Sequence, residues 1–419
     1  MLDRAFTLPA SRVVVPNRIA KASMSEGLAD VEGRPTPRLE RLYQAWADGG
    51  AGLLLTGNVQ VDGRYLERVG NPIVEDDRFL PELTSWARAA RSGGAAVFAQ
   101  ISHPGRQVQR AVANDPVAPS AGPAVALLGS FARPRALEDA EIEGIVRRFA
   151  TTARVLDRAG FSGVQIHGAH GYLVSQFLSP LTNRREDRWG GSLENRARFL
   201  LEVVRRVRAS VGDGFGVAVK LNSADFQRGG FEQGDALAVL AMLEGEGVDF
   251  VEISGGNYEA PALVGEGVSE RTRAREAYFL EFAAEARSAT RLPLMLTGGF
   301  RSRAVMDEAL AAGTIDLVGV ARPLAFDPAL PKKLLSGEVD RATAPAVVAR
   351  VRRTQPLAEV AFFAEQMQRV ARGLSPDPTL SPEVAMVRML TTDLERSVAR
   401  RACRALARRP PELSAAGAA

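Results

Sequence analysis

Residues 138–172 read EDAEIEGIVRRFATTARVLDRAGFSGVQIHGAHGY, and within them a helix hands over to a strand. From Glu138 to Arg158 apolar residues recur at helical spacing. The turn LDRAGF then supplies a glycine able to take the left-handed conformation that closes helices. The run GVQIHGA from residue 163 is short and apolar, as a strand buried on both faces would be.

The same unit recurs outward in both directions. Strand-like runs begin at IAKASM (19), AGLLLTGNV (51), AVFAQIS (96), GVAVKLN (216), DFVEISG (249), LPLMLTGG (292) and DLVGVAR (316), which with residue 163 makes eight. Helical patterns lie between them, among them Pro37–Asp48, Leu193–Val211, Asp235–Leu243, Glu276–Ala289 and Arg303–Leu310. Eight strands alternating with helices predict an α/β fold, a (β/α)8 barrel over residues 1–340. The competing open sheet is disfavoured, because no G-x-G-x-x-G turn follows any strand.

Composition narrows the chemistry. With 46% hydrophobic and 24% charged residues the chain has the balance of a globular protein. The opening MLDRAFTLPASRVVVPNR has no apolar run of signal-peptide length, and nothing later approaches a membrane span, so the expectation is a cytoplasmic protein with no membrane partner. The single cysteine, Cys403, cannot supply the four thiolates of an iron–sulfur cluster or a structural zinc.

Residues 341–419 carry 13 arginines, no lysine and 7 acids. The barrel portion is therefore slightly acidic, which argues against nucleic acid as a partner. The segment reads as a basic helical extension packed on the barrel or on a neighbouring subunit, with an apolar side that makes a homo-oligomer possible. Residues 103–137, rich in Pro, Gly and Ala, form a long connection after the third strand, a length more often found in lids and binding loops than in slack chain.

Barrel active sites sit at the C-terminal ends of the strands. Only three histidines occur in the chain, and His167 and His170 fall at such an end, with Tyr172 beside them. Three readings are open there. A metal site would need a third protein ligand, and only His103 remains as a histidine. A packed loop with satisfied imidazoles is the structural alternative. A polar clamp is the third: two imidazole donors on one carbonyl oxygen, with a phenol delivering a proton nearby.

The stretch IHGAHGYLVSQFLSPLTNRREDRWGGSLENRARF, residues 166–199, resembles the old yellow enzyme family of FMN-dependent ene reductases. The likeness runs from VPNRIAKASM to VGVARPLAFDP in the same order along eight strands. The resemblance implies a barrel holding FMN tightly but without a covalent bond, reduced by NADPH or NADH, with hydride passing from the flavin to the β-carbon of an activated alkene. It implies that His167 and His170 bind the substrate carbonyl oxygen and that Tyr172 protonates the α-carbon. Ala22, Ser23, Met24 and Ser25 are similar to the first-strand segment lying against the flavin, Gly57 to the matching end of the second strand, and Gln100 to a glutamine bonding the ring. Lys220 stands where many relatives have arginine, so a point donor replaces a planar fork. Gly298, Gly299, Ala321 and Arg322 would hold the phosphate. His103 and Arg106 would support their loop, and no metal is implied.

Departures from the pattern concern Ser25, in place of cysteine or threonine, whose hydroxyl can still donate to flavin O4, and Glu26 and Gly27, in place of larger pocket residues. Two other activities fit parts of the pattern. One is a flavin-dependent dehydrogenase or demethylase on the same barrel. The other is a lyase using Lys220 as a Schiff-base nucleophile.

Overall fold

The computed structural model describes residues 1–126, 129–256 and 280–407. Eight strands carry the architecture: β1 (Ile19–Lys21), β2 (Leu53–Gln60), β3 (Ala96–Ser102), β4 (Gly163–Gly168), β5 (Gly216–Asn222), β6 (Phe250–Ser254), β7 (Leu294–Thr297) and β8 (Leu317–Val320). They pair in parallel and close in sequence order, β8 returning to β1, into a barrel. This is the (β/α)8 fold expected from the alternation. Each strand is buried along its whole length, because side chains on one face fill the barrel and those on the other meet the helices.

The lower half of the interior is a separate apolar cluster that includes Leu53, Leu55, Phe98, Ala218, Phe250, Met295 and Leu317. Leu8 and Val15 of the N-terminal hairpin join it from below and close that end. The second cluster lies between strands and helices, where Trp46 and Trp86 are fully buried.

The longer helices around the barrel are α1 (Pro37–Asp48), α2 (Leu80–Arg91), α3 (Asp139–Arg158), α4 (Leu193–Arg208), α5 (Gln233–Leu243), α6 (Leu280–Ala289), α7 (Arg303–Ala311) and α8 (Leu330–Ser336), with short helices at Leu173–Leu178 and Arg322–Phe326. Proline in the first turn starts α1, and the Ser192 side chain accepts the Asn195 N–H at the start of α4. The expected start of α6 at Glu276 lies outside the described residues. In the long connection Val117–Ala118 pairs with Arg135–Ala136, so its two arms are tied together.

Two further helices follow, α9 (Gln355–Ala371) and α10 (Pro382–Ala407). α9 lies against α1, and α10 against α9. No described helix is long and apolar enough to cross a membrane.

Candidate active site

At the upper end of the barrel the apolar interior gives way to a layer of polar side chains. Ser23 Oγ donates to Gln100 Oε1 at 2.7 Å, and Gln100 Nε2 donates to Gln165 Oε1 at 2.6 Å. Gln165 Nε2 in turn donates to Glu252 Oε2 at 2.8 Å, and Lys220 Nζ to Glu252 Oε1 at 2.9 Å. Gln100, Gln165, Lys220 and Glu252 are all buried. The ladder is a product of strand register, which sets Gln100 beside Gln165 and Lys220 beside Glu252. Gln165 and Glu252 were not among the expected site residues. Their signal in the sequence is a polar residue inside an otherwise apolar strand, with Gln165 on the same face as His167.

Two residues further along three of these strands stand His167, Asn222 and Ser254, the next layer toward the mouth. His170 comes back over them in a left-handed conformation, φ 60°, that non-glycine residues rarely take. Three contacts hold it there. Its N–H donates to Asn222 Oδ1 at 3.2 Å, its carbonyl accepts from Gln107 Nε2 at 3.0 Å, and its Nε2 lies 2.7 Å from Ser254 Oγ. Strain of this kind persists only where the surroundings over-determine it.

The three rings meet as the sequence reading expects. The His167 ring lies edge-on to His170 at 5.0 Å and to Tyr172 at 4.7 Å. The Ala169 N–H donates to His167 Nδ1 at 3.2 Å, so in the neutral ring the proton resides on Nε2 and makes that atom the donor. Burial, then the nearby Lys220 charge, holds both imidazoles well below their usual pKa. Both are neutral at physiological pH. The Tyr172 hydroxyl is buried beside them, with Asn58 Nδ2 at 3.5 Å.

The first-strand segment forms one wall. The Ala22 N–H donates to Val320 O at 2.9 Å, and Met24 packs against the core. Ser25 Oγ donates to Glu67 Oε2 at 3.1 Å, an engagement the sequence did not foretell for a hydroxyl expected to serve flavin O4. Glu26, read as a pocket departure, turns inward and is fully buried. Its Oε1 accepts the Gly57 N–H at 2.9 Å and the Tyr43 hydroxyl, and lies 3.9 Å from Lys21 Nζ. Burial pushes the Lys21 amine down to about 8. Gly57 sits in the irregularity of β2 between Leu55 and Asn58. A Cβ there would meet Met24 O at 2.5 Å and the Glu26 carboxylate.

Two strands round the barrel from β1, Gly298 and Gly299 follow β7 with φ of 132° and 81°, conformations that exclude ordinary side chains. Thr297 Oγ1 beside them is buried with no hydrogen-bond partner among the described residues. Ala321 precedes the short helix Arg322–Phe326, and Arg322 pairs with Glu359 of α9. A phosphate would have to compete with that carboxylate. His103 and Arg106 are loop supports: His103 Nδ1 accepts the Gly105 N–H at 3.1 Å, its carbonyl accepts from Leu173 at 2.9 Å, and the Arg106 N–H donates to Gln176 Oε1 at 3.2 Å.

These residues fit a flavin nucleotide. Lys220 spends one of three N–H donors on Glu252, and Gln100 keeps a second N–H and a second lone pair, so both retain capacity for a ring edge. The unpartnered Thr297 hydroxyl and the two glycines beside it suit a polar chain ending in phosphate.

The sequence profile of the NADH:flavin oxidoreductase / NADH oxidase family matches residues 10–340. The NADH-dependent flavin oxidoreductase iliE of Hypocrea jecorina is 40% identical over 352 residues, covering 77% of this chain and 86% of the relative. Among solved structures, a 2-naphthoyl-CoA reductase superposes with a TM-score of 0.76 at 28% identity, over 82% of this chain and 54% of that longer one. The old yellow enzyme homologue from Zymomonas mobilis superposes with a TM-score of 0.69 at 25% identity, covering 84% and 98%.

Proposed function

Because the chain belongs to the NADH:flavin oxidoreductase / NADH oxidase family, with the barrel of the old yellow enzymes, and is thereby an FMN-dependent oxidoreductase, we propose that it reduces activated alkenes, with NADH as reductant. The chemistry FMN supplies when bound is acceptance of a hydride from the nicotinamide and its delivery to the β-carbon of an enone or enal. NADH rather than NADPH is favoured by the likeness to the NADH-dependent flavin oxidoreductase of Hypocrea jecorina.

The observation that carries the reading is the packing of His167, His170 and Tyr172 into one group at the barrel mouth. His167 Nε2–H and the His170 ring donate to the substrate carbonyl oxygen, which polarises the double bond and stabilises charge that develops on that oxygen. Both imidazoles are neutral, so they bind the oxygen without surrendering a full proton to it. The Tyr172 hydroxyl supplies the proton that the α-carbon needs. Below them Ser23, Gln100, Gln165, Lys220 and Glu252 would hold the polar edge of the ring. Ala22, Met24, Ser25 and Gly57 would line its face, and Gly298, Gly299, Ala321 and Arg322 would take the phosphate.

Lys220 in this reading is a charge partner and not a Schiff-base nucleophile, since its Nζ is engaged by the buried Glu252 carboxylate 2.9 Å away. The purified protein loaded with FMN should bleach with NADH in the absence of air and regain its colour on addition of cyclohexenone. Bleaching without recolouring would leave a flavin reductase and remove the ene-reductase reading.

A further inference from the structure

Helix α10 sits on the barrel by the wrong side for an amphipathic helix. Ala385 is buried and Met386 and Met389 are half-buried in its first half, but from Asp393 onward its inward-facing residues are polar. Asp393 pairs with Arg68 at 2.9 Å, Arg396 donates to Gly27 O, and Arg400 donates to Val31 O and, at 2.8 Å, to Gly63 O. Its aliphatic residues point outward instead: Val384, Val387, Leu390, Leu394 and Val398 are between 43% and 62% exposed. Four of them, with Thr391, follow the 3-4 spacing of a coiled-coil seam, 384, 387, 391, 394, 398, over about 21 Å of helix.

Exposed strips of this kind, on the order of 400 Å², mark interaction sites. Val348 and Val351 are more than half exposed and flank the start of α10, where the Arg350 N–H donates to Glu383 Oε1. With them the surface approaches the roughly 600–800 Å² that each partner contributes to a standard interface.

We propose that this face pairs with the same face of a second copy of the chain, the two α10 helices running antiparallel about a twofold axis. Charge selects this occupant. When Thr391 of one helix layers against Leu394 of the other, Val387 meets Val398, and Arg388 falls opposite Glu395 on the flank of the seam. The twofold axis makes that pair twice. A membrane surface would meet Glu395 as an unpaired acid beside the apolar strip, whereas a second copy neutralises it. Arg388 already leans on Glu365 of α9 at 3.4 Å, and remains more than half exposed to a partner.

The test is the mass of the full chain by light scattering after size exclusion, at micromolar concentration. The wild type should run as two copies of 44.9 kDa. Leu394→Arg and Val387→Arg, both on the outward face, should weaken self-association by about 100-fold or more while thermal melting of the barrel stays in place. Glu395→Arg alone should weaken it by about tenfold, and adding Arg388→Glu should restore it. A monomeric wild type, a dimer indifferent to Leu394→Arg, or a double variant no better than Glu395→Arg would each overturn the proposal. A monomer that sediments with phosphatidylserine vesicles would reassign the face to membrane binding.

Discussion

Lys220 and Glu252 face each other across adjacent strands at 2.9 Å, both shut off from solvent. A buried pair of this kind is costly to break from one side, because the remaining charge has no solvent and no partner. It also links the donor of the site to the glutamine ladder, since the second oxygen of Glu252 accepts from Gln165.

Glu252→Gln should therefore destabilise the protein by about 3–5 kcal/mol, and Lys220→Met by a similar amount. The double replacement should cost less than the sum of the two. Urea unfolding of the three variants measures this, and strictly additive costs would show that the pair is not coupled.

Tyr172→Phe should leave reduction of the bound flavin by NADH intact and slow alkene reduction by about 100-fold, the usual loss when a general acid is removed. Rapid-mixing measurements of the two half-reactions separate these effects. Equal slowing of both would place Tyr172 in cofactor binding.

All three histidines are buried and held in the neutral form. Burial brings His103 down to about 4, and His167 and His170 well below their usual value. An unfolded histidine titrates near 6.5, so below that pH unfolding takes up protons. This contribution to stability is present in full above about pH 6.5 and is lost as the pH falls toward 4, by up to about 1.4 kcal/mol per pH unit for each group. Urea midpoints at a series of pH values should show the decline, and His103→Asn should flatten it. A flat profile for the wild type would mean that the imidazoles take up protons in the folded chain as readily as in the unfolded one.

Gly57→Ala should cost about 1–3 kcal/mol and weaken retention of FMN, because the added methyl meets Met24 O and the Glu26 carboxylate. Thermal melting and flavin titration check this. An unchanged flavin affinity would show that the first-strand segment gives way without disturbing the ring.

The barrel was legible because its strands are nearly continuous apolar runs. AVFAQIS and GVAVKLN match β3 and β5 residue for residue. α2 escaped notice in the linear reading although its core face is regular, with Leu83, Trp86, Ala87 and Ala90 buried. The cluster of His167, His170 and Tyr172 was also visible, because three chemically distinctive residues fall within six positions of one strand end. Glu67 was not, since its contact with Ser25 joins two different strand-end loops.

What the order of residues determined by itself was local: where each strand begins, where helices start, and which side chains share a face. Periods of 2 and 3.6 carry that information without any partner. Only the closed barrel decided that Ser23, Gln100, Gln165, Glu252 and Lys220 form one chain of hydrogen bonds, because strand register brings together residues 32 to 87 positions apart. The orientation of α10 belongs to the same class. Its pattern announces an apolar stripe, but the carbonyls of Gly27, Val31 and Gly63 sit where arginines can reach them, and so in its second half the polar face turns inward and the valine and leucine stripe outward.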